Sequence, residues 1–226
     1  MKSQILILCF ISLLVLSCGR RNNSATNDSQ ITADTTMKFV SDDTGKEVHR
    51  VSIKSAVIHM KSSAMGMTQQ IVIYLDDFGK KNATEVTQEM MGKKIQQFSI
   101  SDGEYMYSFS PDNRKGKKSK LDSESPDNIN FNALTKEMAS KFKLKKTGTA
   151  MVLGRKCDVF TMEFAEAKLK GTYYIWKGIP LKTESEVSIM KVSMEATSIE
   201  ENVAIDPARF EIPKDIVFDE IATRGK

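Results

Sequence analysis

The feature that most limits how this chain can fold is a period-two alternation of apolar and polar residues that recurs along most of its length. Near the end, Met190, Val192, Met194 and Ala196 alternate with Lys191, Ser193, Glu195 and Thr197. In an extended strand successive side chains point to opposite faces, so such a run has one apolar face and one wet face. Leu181, Thr183, Ser185, Val187 and Ile189 repeat the pattern, as do Val51, Ile53 and Val57, Ile71, Ile73 and Leu75, and the aromatic trio Tyr105, Tyr107 and Phe109. Further runs at 80–90, 94–101, 149–154, 157–165 and 170–177 are punctuated by Gly79, Gly92, Gly103, Gly154, Gly171 and Gly178, which predicts a meander of hairpins. One segment has helical spacing instead. Phe131, Leu134, Met138 and Phe142 recur at three- and four-residue steps behind Asn130 as N-cap, and this stripe is expected to pack on the sheet. The polar stretch from Ser110 to Asn130 reads as a long loop. The expected class is α+β, mainly β, an antiparallel sheet with one covering helix.

The N-terminus reads as an export signal. After Lys2, residues 5–16 contain one polar residue, Ser12. Twelve residues are too few for a spanning helix, which needs roughly 20, and fit the h-region of a signal peptide. Leu14-Val15-Leu16-Ser17-Cys18-Gly19 matches a bacterial lipobox, so the expectation is cleavage after residue 17 and acylation of Cys18. Two or more acyl chains anchor firmly, each buried methylene contributing about 0.8 kcal/mol. Residues 18–36 are polar, rich in asparagine, serine and threonine, a flexible tether, and 37–226 form a single domain. Gly19 after the cysteine, rather than Asp, points to the outer membrane with the domain facing the periplasm. Cys9 leaves with the signal and Cys18 takes lipid, so Cys157 has no disulfide partner and reads as a buried small hydrophobe.

Chemistry-bearing motifs are scarce. The only histidines, His49 and His59, are ten residues apart in what reads as one strand, about 33 Å if extended, too far for shared ligation. The chain has no Cys-x-x-Cys, His-Glu-x-x-His, Gly-x-Ser-x-Gly or phosphate-loop pattern. No catalytic residue, metal or cofactor is expected, and the chain is read as a non-enzyme. The basic run from Arg114 to Lys120 suits an anionic membrane surface or a solvated loop tip, and nucleic acid is not an expected partner in the envelope. Methionines share strands with aromatics: Met106 beside Tyr105 and Tyr107, Met162 between Phe160 and Phe164, and Met190 with Met194. Adaptable side chains suit either a core or an apolar binding surface.

Three stretches carry a family resemblance: Gly148 to Phe160 as a strand–turn–strand, Tyr174-Ile175-Trp176-Lys177-Gly178-Ile179-Pro180-Leu181-Lys182 as a hairpin, and the closing Asp206-Pro207-Ala208-Arg209-Phe210-Glu211-Ile212-Pro213. Together they resemble the LolA/LolB-like lipoprotein-carrier fold and related bacterial envelope lipoproteins. The resemblance implies a strongly curved antiparallel sheet, or half-barrel, whose concave side is plugged by helices and takes up acyl chains. On that reading Phe98, Tyr105, Tyr107, Phe109, Phe160, Met162, Trp176, Met190 and Met194 line an apolar cavity for a lipid or the acyl part of a lipoprotein. The alternative is an interaction lipoprotein with a filled core that contacts another envelope protein.

Overall fold

The computed structural model describes residues 34–40, 48–122 and 125–221, so the expected signal peptide, Cys18 and most of the expected tether lie outside the described residues. Twelve strands form one open sheet: β1 (Ala56–Ala64), β2 (Met67–Asp76), β3 (Lys81–Met90), β4 (Lys93–Ser101), β5 (Tyr105–Phe109), β6 (Lys115–Lys120), β7 (Lys145–Val152), β8 (Arg155–Phe164), β9 (Leu169–Trp176), β10 (Ile179–Val187), β11 (Met190–Glu201) and β12 (Val217–Ile221). Their spatial order is β12-β6-β5-β4-β3-β2-β1-β11-β10-β9-β8-β7. The architecture is mainly β, as the alternation predicts, and the sheet is not closed into a barrel. Two meanders, β1–β6 and β7–β11, are joined by antiparallel pairing of β1 with β11. One pair departs from the expected antiparallel pattern, because β12 runs parallel to β6.

Hairpin turns fall where most of the glycines predict them, but Gly171 lies inside β9 and the β10–β11 turn, Ser188-Ile189, has no glycine. Met65-Gly66, Met91-Gly92, Leu153-Gly154 and Lys177-Gly178 each place both residues at positive φ, the two-residue turn whose twist matches the strands it joins. The central strand β1 carries the cleanest alternation, with Ala56, Ile58, Met60, Ser62 and Ala64 buried between half-buried or exposed neighbours. Its apolar side enters a core with Ile71, Leu75, Val159, Tyr174 and Leu181. A second core gathers Leu134, Phe142, Leu144, Phe160, Met162 and Leu169, with Phe131 and Met138 packed against it.

Four local expectations need correction. The helix, α1, spans only Lys136–Lys141, because Thr135, not Asn130, is its cap, accepting from the Met138 amide at 3.1 Å. Asn130 instead closes a turn ahead of it, its side chain accepting from the Asn132 amide. Part of the expected 110–130 loop is strand β6, held between β5 and β12. His49 is not in a strand with His59. It precedes β1 and stacks on Phe78 at 4.3 Å. Phe210, the aromatic that the closing segment is expected to place in the core, is only half-buried, with Lys81 over its ring.

The closing strand fits β6 through one contact. An added Cβ at Gly116 would lie 2.6 and 2.7 Å from two ring carbons of Phe218, so only glycine leaves room for that ring. Asp219 and Glu220 pair with Lys117 and Lys118 across the same ladder, and opposite charges side by side favour this register. Gly116→Val is expected to expel Phe218 and destabilise the protein by about 1–3 kcal/mol. Urea unfolding measures the loss, and hydrogen exchange should show it together with lost amide protection across β12; unchanged stability and protection would refute this account of the strand.

Candidate functional site

The strand registers decide which side chains share a face. Cross-strand partners link Phe160, Tyr173, Thr183, Met194, Ser62, Gln69, Gln88 and Ile95 into one rung running from β8 to β4. On the opposite face of β3 another rung runs from Glu85 through Phe98, Phe109 and Gly116 to Phe218. The nine residues expected to line one cavity are therefore divided. Phe160, Met162, Met190 and Met194 lie on the first face by strand parity. Phe98, Tyr105, Tyr107 and Phe109 lie on the second, while Trp176 packs with Met194 against the core built on β1.

Each group has its own surroundings. Phe98 stacks on Phe109 at 5.6 Å, and Phe218 meets Tyr107 and Phe109 edge-on at 5.2 and 6.1 Å. The Tyr107 hydroxyl donates to Asp102 at 3.0 Å, and the Lys118 ammonium lies 3.8 Å from the Tyr105 ring centre. This aromatic group holds the C-terminal strand. Phe160 packs on Phe131 at 5.3 Å, and Phe131 lies 6.4 Å from Tyr173, so the space beneath the α1 segment is filled by side chains. Trp176 ends its hairpin between Arg155, 5.2 Å from its ring, and Lys177, at 4.5 Å.

An open groove of about 1040 Å³ lies elsewhere. Five adjacent strands each contribute three consecutive residues to it: 161–163, 170–172, 184–186, 191–193 and 63–65. It crosses the sheet at the rung Met162, Gly171, Ser185, Val192 and Ala64. Three of those five side chains are glycine, serine or alanine, so little side-chain volume stands along the line. Ala139, Ser140, Lys143, Leu144 and Lys145, from the end of α1 and the start of β7, bound it at the β8 side, and Met65 bounds it at the β1 tip. Of the nine expected residues, Met162 alone lines it.

Met65, Leu144, Met162 and Val192 supply apolar surface. The charged residues between the floor positions alternate to the other face of the sheet, where Lys170 lies opposite Glu163 and Glu186, and Lys191 opposite Glu186. Lys143 pairs with Glu163 at 3.4 Å, and Glu184 is held by Lys182 at 3.1 Å. Sequence reading missed this site because its line crosses chain segments more than a hundred residues apart, and its decisive residues are small ones that carry no chemical motif. Among the described residues no three His, Cys, Asp or Glu side chains gather to hold a metal ion, and no helix is long and apolar enough to cross a membrane. Cys157 is fully buried, and burial pushes its thiol up to about 11, which keeps it protonated and unreactive at neutral pH.

No family model matches the sequence, and no curated protein matches it. Among solved structures, an uncharacterized conserved protein from Thermus thermophilus superimposes with a TM-score of 0.53 at 8% identity, over 76% of this chain and 95% of that one. The two proteins share a fold. A putative outer membrane lipoprotein-sorting protein domain from Vibrio parahaemolyticus aligns at a TM-score of 0.36 and 9% identity, over 71% of this chain and 91% of that one. The lipoprotein LppX of Mycobacterium tuberculosis aligns at 0.39 and 11%, over 69% and 91%. At such TM-scores neither of these two bears on fold or function.

A charged clasp joins the β8–β9 end of the sheet to the end of β11. Glu201 accepts from Arg155 Nη2 at 2.9 Å and from Lys177 Nζ at 3.4 Å. Partial burial works against its carboxylate, but these two donors outweigh it and hold the group below the usual carboxylate range. Because the folded value is depressed, the clasp stabilises fully above the unfolded value, about 4.3, and is lost as pH falls through the folded one. Glu201→Gln is therefore expected to lower stability at pH 7 and to converge with the parent protein below about pH 4. Urea titrations across pH check this, and a gap that persists undiminished in acid would exclude it.

Proposed function

We propose that this protein is a lipid-anchored bacterial envelope lipoprotein, acylated at Cys18, that binds an amphiphile with its acyl part in the groove along the Met162–Ala64 rung. The single observation that carries this reading is the groove itself: about 1040 Å³, at the upper end of the range of small-molecule sites and floored by small side chains. An acyl chain lies against Met162, Val192, Leu144 and Met65. The mechanism is burial without catalysis. A fully sheltered palmitoyl chain gains on the order of 10 kcal/mol before ordering costs, and an open groove shelters only part of it. The sequence resemblance to lipoprotein carriers supports the same reading, as does the lipobox for location at the outer membrane facing the periplasm.

The chain from Gly19 onward, purified without detergent, is expected to carry a co-purified lipid in native mass spectrometry and to bind a fluorescent fatty acid. Ser185→Phe, which fills the groove at mid-length, should lower both at least fivefold. Intact mass of the envelope form reports acylation at Cys18. Absence of lipid from the parent protein, or full binding by Ser185→Phe, would sink the assignment of the groove, and recovery of a single crosslinked envelope protein without lipid would favour the interaction lipoprotein instead.

A further inference from the structure

A second, smaller cleft of about 540 Å³ lies between residues 66–68 of the β1–β2 hairpin and residues 88–92 of the β3–β4 hairpin. Four methionines belong to these two tips. Met67, Met90 and Met91 line the cleft, and Met65 stands next to its Gly66 wall. The β2–β3 ladder ends at Gln69 and Gln88, and beyond it the cleft opens with Met67 on one wall and Met90 and Met91 on the other. Thioether side chains are flexible enough to reach into it from both walls. The Met67 sulfur is on the β3 side, since it accepts from Gln88 Nε2 at 3.5 Å, and Gln88 in turn accepts from Gln69 at 3.1 Å.

The tip residues are hard to explain by packing. Met65 is 73% and Met91 88% exposed, so neither gains burial. Both sit at positive φ, 50° and 52°, where asparagine or glycine is the favoured first residue of such a turn. Lys177, in the equivalent turn at the other end of the sheet, pairs with Glu201. Met65 and Met91 have no such contact among the described residues.

We infer that Met67, Met90 and Met91, which line this cleft, form a binding site for a soft monovalent metal ion, copper(I). Thioethers are soft, neutral donors that select copper(I) over zinc and the hard cations. Neutral donors also bind without releasing protons, so the site keeps working in an acidic compartment where thiolate or imidazole sites fail. Met67 and Met90 form the inner pair. Met91, on the β3–β4 tip, closes over the ion from outside. No thiol is needed, which suits a chain whose only buried cysteine among the described residues, Cys157, is sealed in the core.

The test uses the full processed protein purified from envelope membranes, titrated anaerobically with copper(I) held as its bicinchoninate complex. One copper(I) per chain is expected to transfer. Met67→Leu with Met90→Leu keeps volume and apolarity, so the fold should persist by circular dichroism while affinity falls at least tenfold. Met106→Leu should bind like the parent, and zinc(II) should not compete. Failure of the parent protein to take copper from the complex, equal affinity in the double leucine variant, or equal competition by zinc would each overturn the site. None of these outcomes depends on lipid in the larger groove.

Discussion

The pairing of β1 with β11 is the constraint on which the rest of the molecule depends. It joins residues 56–64 to 192–201, and so fuses two meanders that would otherwise be separate sheets, each with an unpaired edge. Closing so long a loop is entropically costly and slow relative to hairpin formation, so the contacts made on closure must recover that cost. They do so on β1 itself, where Ala56 and Ile58 are 0% and Met60 2% exposed. A register shift between His59 and Met60 absorbs one extra residue of β11, Thr197, whose hydroxyl donates to the His59 carbonyl at 3.2 Å. The groove inherits this dependence, because its floor continues from Val192 to Ala64 only across that ladder.

Two other pieces of chain finish the sheet from outside. The segment from 129 to 144 covers β8 and β9 with Leu134, Phe142 and Leu144, and Met37 reaches the same cluster. Lys146 ties that corner together, pairing with Asp158 at 2.9 Å and Asp34 at 3.3 Å. The C-terminal segment covers the opposite face of β3 and β4, where Arg209 pairs with Glu85 and lies 5.0 Å over the Tyr74 ring. Phe218 then fills the notch at Gly116. Apolar side chains thus project from both faces of the sheet, and each face needs its own cover.

That two-sidedness explains what could and could not be read from sequence. Turns and strands are legible because their signals are local: an X-Gly pair at four tight hairpins, though not at Ser188-Ile189 between β10 and β11, and alternation between them. The helix was overextended because Phe131 and Leu134 keep helical spacing through what is a turn, and Thr135 is as good a cap as Asn130. β6 was hidden, since Lys115-Gly116-Lys117-Lys118-Ser119-Lys120 has no apolar alternation and becomes a strand only when Phe218, Asp219 and Glu220 arrive beside it. Parity within a single strand is a local signal. Whether two such faces coincide, however, depends on the β1–β11 register and on every ladder between, and no local pattern encodes that. Nine residues with the right composition therefore fell on two sides of one sheet.

The division has a mechanistic consequence. Aromatic side chains in this protein are spent on packing: Phe131, Phe142, Phe160 and Phe164 against one another under α1, and Phe98, Tyr107, Phe109 and Phe218 on the far side. What remains open is lined by methionine, valine, alanine and charged residues. A ligand in an open groove keeps one side wet, so it gains only a fraction of the roughly 25 cal/mol per Å² that full burial of apolar surface provides. Partial burial favours fast release over tight storage, because weaker contact acts mainly on the dissociation rate. A groove of this openness suits brief contact with an apolar chain and is poorly suited to holding one indefinitely.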